Sequence, residues 1–483
     1  MRILLATSEV HPYSKSGGLA DMVGALGKAL GRAGHQVGIV TPLYRGIREK
    51  FPGLTAFPWD MNLPLGVFRQ RADVWTLPHS SGVTVYFIDQ PRYYDRPALY
   101  TENGVDYADN GERFIFFAKA AVHLARFLPW HPEVVHVHDW QAGLIPILVL
   151  HQKLTDGWLR VPRTCLTIHN LAYQGVFSRA QYDLTNLPLD YFNPNGVEFH
   201  AFLNCLKAGI VYADSITTVS PRYAREITTE QFGCGLDGTL RARADALTGI
   251  LNGVDYEEWN TTHNPDLIAP FDAAHLKGKL ANKLALQREV GLPEHAAMPL
   301  FANITRLADQ KGVDIQLGAL EEMLAADMQF VLLGSGSPEY EAAYQRLARR
   351  HPTKVAVKIG FDHGLSHRIE AGADFFLMPS RYEPCGLNQM YSLHYGTIPI
   401  VRVTGGLDDS IIDISEDPRA ADGIKFTEYS VRALAKAIRK ALVLYQHREL
   451  FNRFRQNAMK ADFSWDRTAQ EYVKAYQRDH PTT

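Results

Sequence analysis

The chain has 483 residues, 46% of them hydrophobic, and a formal net charge of −2. That length implies two or three domains, and a near-neutral chain without a long run of one sign excludes a nucleic-acid groove and a polybasic membrane patch. Its four cysteines form no CxxC pair, which argues against a zinc or disulfide framework and suits a reducing, cytoplasmic compartment; no apolar run approaches the roughly 20 residues that span a bilayer.

In the first half, RILLATS, HQVGIVTP, TVYFID, EVVHVHD, TCLTIHN and SITTVS read as strands. The first of them, at the N-terminus, reads as a strand and not a signal peptide. Leu19, Met22, Val23, Leu26 and Leu30 follow a helical period, as do Phe114, Phe117, Ala121, Leu124 and Leu128. Apolar strands between amphipathic helices predict an α/β fold with a parallel sheet covered on both faces. The second half repeats the plan in PLFANITRL, QFVLLGSG, VAVKIGF, DFFLMPS and TIPIVRV. The boundary is expected near GILNGVD. This gives a first domain over 1–245, rejoined by a terminal helix over 461–483, and a second over 246–460. In that helix Trp465, Ala469, Tyr472, Val473 and Tyr476 recur every three or four residues and mark one apolar stripe.

Doubly wound sheets bind ligands beyond the carboxyl ends of their strands, so the polar residues after each apolar run are the candidates. After the first strand, Gly17 and Gly18 open a helix, with Lys15 beside them; this suits an anion or a plain tight turn. Arg306 and Lys311, in TRLADQKG, put two cations at one loop, as a diphosphate requires. Gly334–Gly336 and Thr404–Leu407 are further glycine turns of a kind ordinary in α/β loops. In VVHVHDW, His136 and His138 share a strand face, but no third ligand stands at a telling spacing, which weakens a metal reading. Asp139, just past that strand, is the better candidate, as are His169 and Asn170 at the next strand end. RYEPCGLNQM sets Glu383 and Cys385 between a buried strand and a helix. The chain contains no DxD triplet.

Taken together, KSGGLADM, HDWQAG, TIHNLAYQG, GILNGVD, ITRLADQKG, SRYEPCGLNQMYSLHYG and TGGLDDSI resemble, in this order, the bacterial glycogen synthases and plant starch synthases. The resemblance runs over nearly the whole chain. It implies a GT-B fold, two Rossmann-like doubly wound domains with the active site in the cleft between them. It further implies transfer of glucose from a nucleotide diphosphate, ADP-glucose in bacterial members, to the non-reducing end of an α-1,4-glucan such as glycogen or a maltooligosaccharide, with the α configuration retained. No metal and no other cofactor is needed, and no nucleic-acid or membrane partner is implied. Residue by residue, Glu383 is expected to accept hydroxyls of the donor sugar, with Cys385, Gly386, Leu387 and Asn388 leading into a helix whose N-terminus faces sugar or phosphate. Lys15, Arg306 and Lys311 match the cations around the diphosphate. Asp139 matches an acid near the reacting sugar, and His169 a residue whose backbone carbonyl faces the developing charge. Asn170 and Asn252 match polar sugar-site groups, Phe361 the ring that stacks on the base, and Tyr94 an aromatic near the acceptor. The chain departs from the pattern at Asn388, where Thr is common. Tyr391 stands where sucrose-synthase-like enzymes carry a second Glu, which agrees with the glycogen synthases.

The other readings have weaker signatures. A dinucleotide oxidoreductase predicts GxGxxG where this chain has SEVHPYSKSGG. A lipid-directed transferase predicts a basic or apolar membrane-facing stretch. A non-catalytic glucan binder predicts loss of the acids and cations enumerated above.

Overall fold

The computed structural model describes residues 1–80, 82–102 and 104–478. The chain forms two compact units: Met1–Gly253 together with the C-terminal helix from Trp465, and Val254–Ser464.

Among the described residues, the first unit is built on a nine-stranded sheet. In chain order its strands are β1 (Arg2–Ala6), β2 (Gln36–Pro42), β3 (Thr55–Leu65), β4 (Phe68–Ser80), β5 (Val83–Asp89), β6 (Val134–His138), β7 (Arg163–Ile168), β8 (Ser215–Thr218) and β9 (Leu247–Gly249). They lie side by side as β9-β8-β7-β6-β1-β2-β5-β4-β3. All pairings from β9 to β5 are parallel, whereas β4 and β3 extend the edge as an antiparallel hairpin. The sheet therefore winds outward in both directions from the gap between β1 and β6, its topological switch point. Helix α1 (Gly18–Arg32) follows β1, α2 (Asn110–Phe127) precedes β6, and the short α3 (Asp139–Ala142) follows β6 directly.

The β3–β4 hairpin and β9 escape the periodicity reading. β3 carries Pro58 and Pro64 and is solvated on one face, and its pairing slips between Phe57 and Asp60. Prolines are tolerated there because β3 is an edge strand. The two-residue turn joining the strands needs left-handed backbone at its first position, and Gly66 supplies it with φ 62°.

The second unit carries a six-stranded, all-parallel sheet among the described residues. Its strands are β10 (Leu300–Leu307), β11 (Gln329–Gly336), β12 (Val355–Ile359), β13 (Phe375–Met378), β14 (Ile398–Arg402) and β15 (Ile424–Phe426), ordered β12-β11-β10-β13-β14-β15. The switch point falls between β10 and β13. Four helices matter below: α4 (Val313–Met323), α5 (His363–Gly372), α6 (Asn388–His394) and α7 (Gly405–Ser410). The β-strands of this unit are buried on both faces, among them Phe301, Phe330, Leu332, Phe375, Leu377 and Ile400, as a parallel sheet between helix layers requires. A buried ion network underlies it: Lys283 and Arg455 both reach the Asp374 carboxylate, at 2.6 and 2.7 Å.

The unit boundaries differ from 245/246 and 460/461. β9 pairs with β8, and the chain up to Gly253 belongs to the first unit. At the return, residues 461–464 stay with the second unit, where the Val254 amide donates to the Phe463 carbonyl at 2.7 Å. The helix Trp465–Gln477 packs in the first unit. Trp465, Ala469, Tyr472 and Tyr476 are buried there, and the Tyr476 hydroxyl bonds His136 Nδ1 at 2.8 Å. Val473, expected in the same stripe, is half-buried, and Thr468 and Ala475 are buried as well. No helix among the described residues is long and apolar enough to cross a membrane.

Candidate functional site

Each unit gathers polar groups at its own switch point. In the first unit, Glu9 lies just beyond β1 and Asp139 just beyond β6, the two strands that flank the switch. Asp139 has a left-handed backbone, φ 55°, a conformation that costs a non-glycine residue energy and is seldom kept without reason. Its Oδ1 accepts the His169 amide at 2.7 Å, so the ends of β6 and β7 are tied through this carboxylate. Burial pushes the Asp139 carboxyl up to about 7, against the backbone N–H groups of His169 and Asn170, which favour the charge; the Glu9 charge adds to the rise.

His169 Nε2 lies 3.1 Å from His138 Nδ1. Burial depresses both imidazoles, His169 to about 3 and His138 well below its usual value, so the pair is neutral and shares one proton. His136 is also buried and neutral, its Nε2 at 2.6 Å from Thr167 Oγ1 and its Nδ1 on Tyr476. The HxH pair thus has its nitrogens engaged within the protein, apart from the buried His138 Nε2, which lacks a partner. Asn170 Oδ1 accepts the Ala172 amide at 3.1 Å and shapes the turn after β7. Asn252 is buried with its Oδ1 unpaired, an arrangement that costs free energy until a donor arrives.

Gly17 and Gly18 are exposed at the start of α1, and a Cβ on Gly17 would meet nothing within 4 Å. The loop leading to them is closed by Glu9, whose carboxylate accepts the Ser16 hydroxyl at 2.9 Å, the Ser16 amide, and the Tyr100 hydroxyl at 3.3 Å. Burial raises the Glu9 carboxyl, and these donors offset the rise. Sequence reasoning passed over Glu9; the signal was an acid standing directly at the end of the first apolar strand. Lys15 is half-exposed and paired with Asp21 in the first turn of α1, at 2.8 Å. Exposed pairs of this kind contribute little to stability, so the ammonium is easily redirected to a ligand.

Tyr94 is a correction. It is fully buried, its hydroxyl donates to the Arg113 carbonyl at 3.0 Å, and its ring packs edge-on against Tyr44. A side chain with no exposed surface cannot touch a glucan, so the role expected for Tyr94 at the acceptor is withdrawn.

In the second unit, β10 and β13 deliver the charged groups. Arg306 ends β10 exposed, its guanidinium 3.4 Å from Gln310 Oε1. Lys311 sits in the turn before α4 and forms a 2.6 Å ion pair with Glu383; Ser380 Oγ donates to the same Glu383 oxygen at 3.0 Å. These two charges, seventy-odd residues apart in the chain, are in direct contact. Helix α7 packs against the EPCG backbone. The Gly406 amide donates to the carbonyls of Glu383 and Pro384, both at 3.1 Å. A Cβ on Gly405 would sit 1.9 Å from the Glu383 carbonyl oxygen, and one on Gly406 2.1 Å from that of Cys385. The glycines of TGGL are therefore dictated by backbone approach, and through them α7 fixes where Glu383 stands.

Cys385 is buried and its carbonyl accepts from Gln389 Nε2 at 3.1 Å. Gly386 and Leu387 lead into α6, half-buried, with Leu387 at its N-cap. The Asn388 side-chain Nδ2 donates to the Ile304 carbonyl at 2.8 Å, which ties α6 to β10. Phe361, after β12, is 80% exposed, an unusual amount of bare ring for a side chain with no partner to cover it.

Comparison with known proteins places both halves. The starch synthase catalytic domain model matches residues 2–242, and that of glycosyl transferases group 1 matches 291–461. A glycogen synthase of Anaeromyxobacter sp. (strain Fw109-5) is 49% identical over 99% of each chain. The catalytic domain of starch synthase IV from Arabidopsis thaliana, solved with ADP and acarbose, superposes with a TM-score of 0.88 at 34% identity, covering 99% of this chain and 98% of that one. A sucrose-phosphate synthase from Thermosynechococcus elongatus shares the fold at a TM-score of 0.60 and 18% identity, over 99% of this chain and 98% of that one.

Proposed function

This chain belongs to the family of glycogen and starch synthases, glycosyltransferases of GT-B fold, and on that premise we propose that it transfers glucose from ADP-glucose to the non-reducing end of an α-1,4-glucan, retaining the α configuration.

The observation that carries the proposal is the Lys311–Glu383 pair with Ser380 at the β10/β13 switch point. Glu383 is an ionic acceptor held by α7 and a serine, and such a group binds sugar hydroxyls firmly and in one orientation. Lys311 and the exposed Arg306 lie on the same side, where a diphosphate attached to that sugar needs positive charge. As the bond to the anomeric carbon breaks, negative charge grows on the departing ADP; preorganised cations stabilise it more than they stabilise the ground state. Lys15 and the amides opening α1 are the anion-binding groups that the first unit offers. Phe361 stacks on the adenine.

Asp139 and the His169 carbonyl act on the sugar side. Asp139 is held in place before substrate arrives by the His169 amide. Above its raised pKa, Asp139 supplies negative charge where an oxocarbenium-like sugar becomes positive. Asn170 and Asn252 bind sugar hydroxyls, and the unpaired Asn252 Oδ1 gains the donor it lacks. In this reading Arg306 and Lys311 neutralise the departing charge without a metal ion.

The test is transfer of labelled glucose to glycogen from ADP-glucose and from UDP-glucose, each with and without EDTA. Transfer from ADP-glucose that EDTA leaves unchanged is expected. Failure to label glycogen from either donor would refute the proposal.

A further inference from the structure

Among the described residues, one group of three side chains can converge on a metal ion: Glu258, His363 and His367, whose ligand atoms all lie within 4.8 Å of one another. His363 and His367 stand one turn apart on α5, so their rings emerge on the same helix face. Their Nε2 atoms are 3.4 Å apart, and Glu258 Oε1 is 3.4 Å from His363 Nε2. A tetrahedral zinc ion with bonds of about 2.0–2.1 Å requires ligand atoms about 3.3–3.4 Å from each other, and two of the three pairs show that spacing, with the Glu258 carboxylate free to swing toward His367 from within 4.8 Å.

The surroundings orient the His367 ring. Tyr395 donates its hydroxyl proton to the Asn260 carbonyl at 3.0 Å and receives the Asn264 amide at 3.1 Å. The Asn264 side-chain Nδ2 and the Tyr395 hydroxyl both lie 3.0 Å from His367 Nδ1, so this nitrogen is engaged within the protein and the ring is fixed with Nε2 facing His363. A metal-binding imidazole is typically oriented by a hydrogen bond at its second ring nitrogen. His367 is 2% exposed and stacked on Trp259 at 4.1 Å; Trp259 also stacks on Tyr391 at 3.8 Å. Trp259 is the chain neighbour of Glu258, so the same stack that immobilises the buried histidine positions the carboxylate. Glu258 and His363 are exposed, which gives an ion its entry path and leaves the fourth position to water.

We propose that Glu258, His363 and His367 form a site for a borderline divalent ion of the Zn²⁺ class, with two imidazoles, one carboxylate and a water as ligands. The ion takes no part in sugar transfer. It pins the segment after Val254 to the start of α5, and with it the turn bearing Phe361, two residues before His363. Because it binds only the folded arrangement, it also stabilises the second unit by mass action.

The experiment uses the whole, untagged chain, stripped with EDTA and dialysed free of it. Zn²⁺ alone is titrated calorimetrically, and Co²⁺ is titrated in the visible range. One ion per chain is expected in the tightest phase, with the intense absorption of four-coordinate Co²⁺, and a rise in melting temperature on adding Zn²⁺. His363→Ala and Glu258→Gln change exposed side chains and leave the aromatic stack in place. Each should weaken Zn²⁺ binding by roughly tenfold or more and remove both the Co²⁺ band and the thermal shift. An isotherm for His363→Ala that matches the unaltered chain, or a Co²⁺ spectrum with only the weak bands of the hydrated ion, would overturn the proposal.

Discussion

Replacing Glu383 by Ala separates a functional carboxylate from a structural one. Glu383 has two partners, Lys311 at 2.6 Å and Ser380 at 3.0 Å. At an effective dielectric near 20, unit charges at this separation attract by roughly 6 kcal/mol, but desolvation takes back most of that for groups this deep. Their side chains are 8% and 20% exposed, so Lys311 can turn to water once its partner is gone. The net cost to folding should be about 1–3 kcal/mol, that of one charged hydrogen-bonded contact. The cost to transfer should be larger in kind. Loss of a preorganised contact to the reacting sugar lowers turnover by on the order of 10²–10³, about 2.7–4 kcal/mol of transition-state stabilisation. ADP affinity should change far less, because Arg306, Lys311 and Phe361 remain. The measurements are kcat at saturating ADP-glucose and glycogen, ADP binding by calorimetry, and a thermal melt. A folded variant turning over at near the normal rate would refute the assignment of Glu383 to the donor sugar. So would a variant whose turnover and ADP binding fall together, since that pattern belongs to a collapsed nucleotide site.

Other outcomes follow from the same geometry. Asp139 is protonated below about 7 and ionised above it, so kcat/KM should fall as pH drops through that value, and Asp139→Asn should lower activity and remove the acid limb. Arg306→Ala and Lys311→Ala should each depress transfer, read as kcat/KM for ADP-glucose, whereas Lys15→Ala should act without disturbing the fold, since it loses only an exposed pair with Asp21. Tyr94→Phe removes one buried hydrogen bond and should cost about 1 kcal/mol in denaturant unfolding while leaving KM for maltooligosaccharides unchanged; a raised KM would restore Tyr94 to the acceptor. Deleting the chain after Phe463 uncovers the surface that buries Trp465, Ala469, Tyr472 and Tyr476, where each large side chain contributes roughly 1.5–3 kcal/mol, and should lower the melting temperature and turnover together.

The sequence alone determined the pattern of this protein. Six apolar runs in the first half and five in the second are strands because fully buried parallel strands must be apolar on both faces. The 3.6-residue stripe of the terminal helix demanded a partner surface for Trp465, Ala469, Tyr472 and Tyr476. Polar residues directly after strands were candidates by position, and Asp139, His169, Arg306 and Lys311 all stand at such ends. What the pattern does not encode is adjacency. That β10 lies beside β13, and so Lys311 against Glu383, depends on the winding order of the sheet, which no local period records. The same holds for β1 beside β6, which sets Glu9 and Asp139 at one switch point. Tyr94 was misread because an aromatic in a polar stretch has the same composition whether its ring faces out or, as here, inward against Tyr44. The Glu258–His363–His367 group was illegible for the opposite reason: two of its members are a helical turn apart, but the carboxylate comes from a hundred residues away, and only the tertiary packing of Trp259 on His367 brings it within reach.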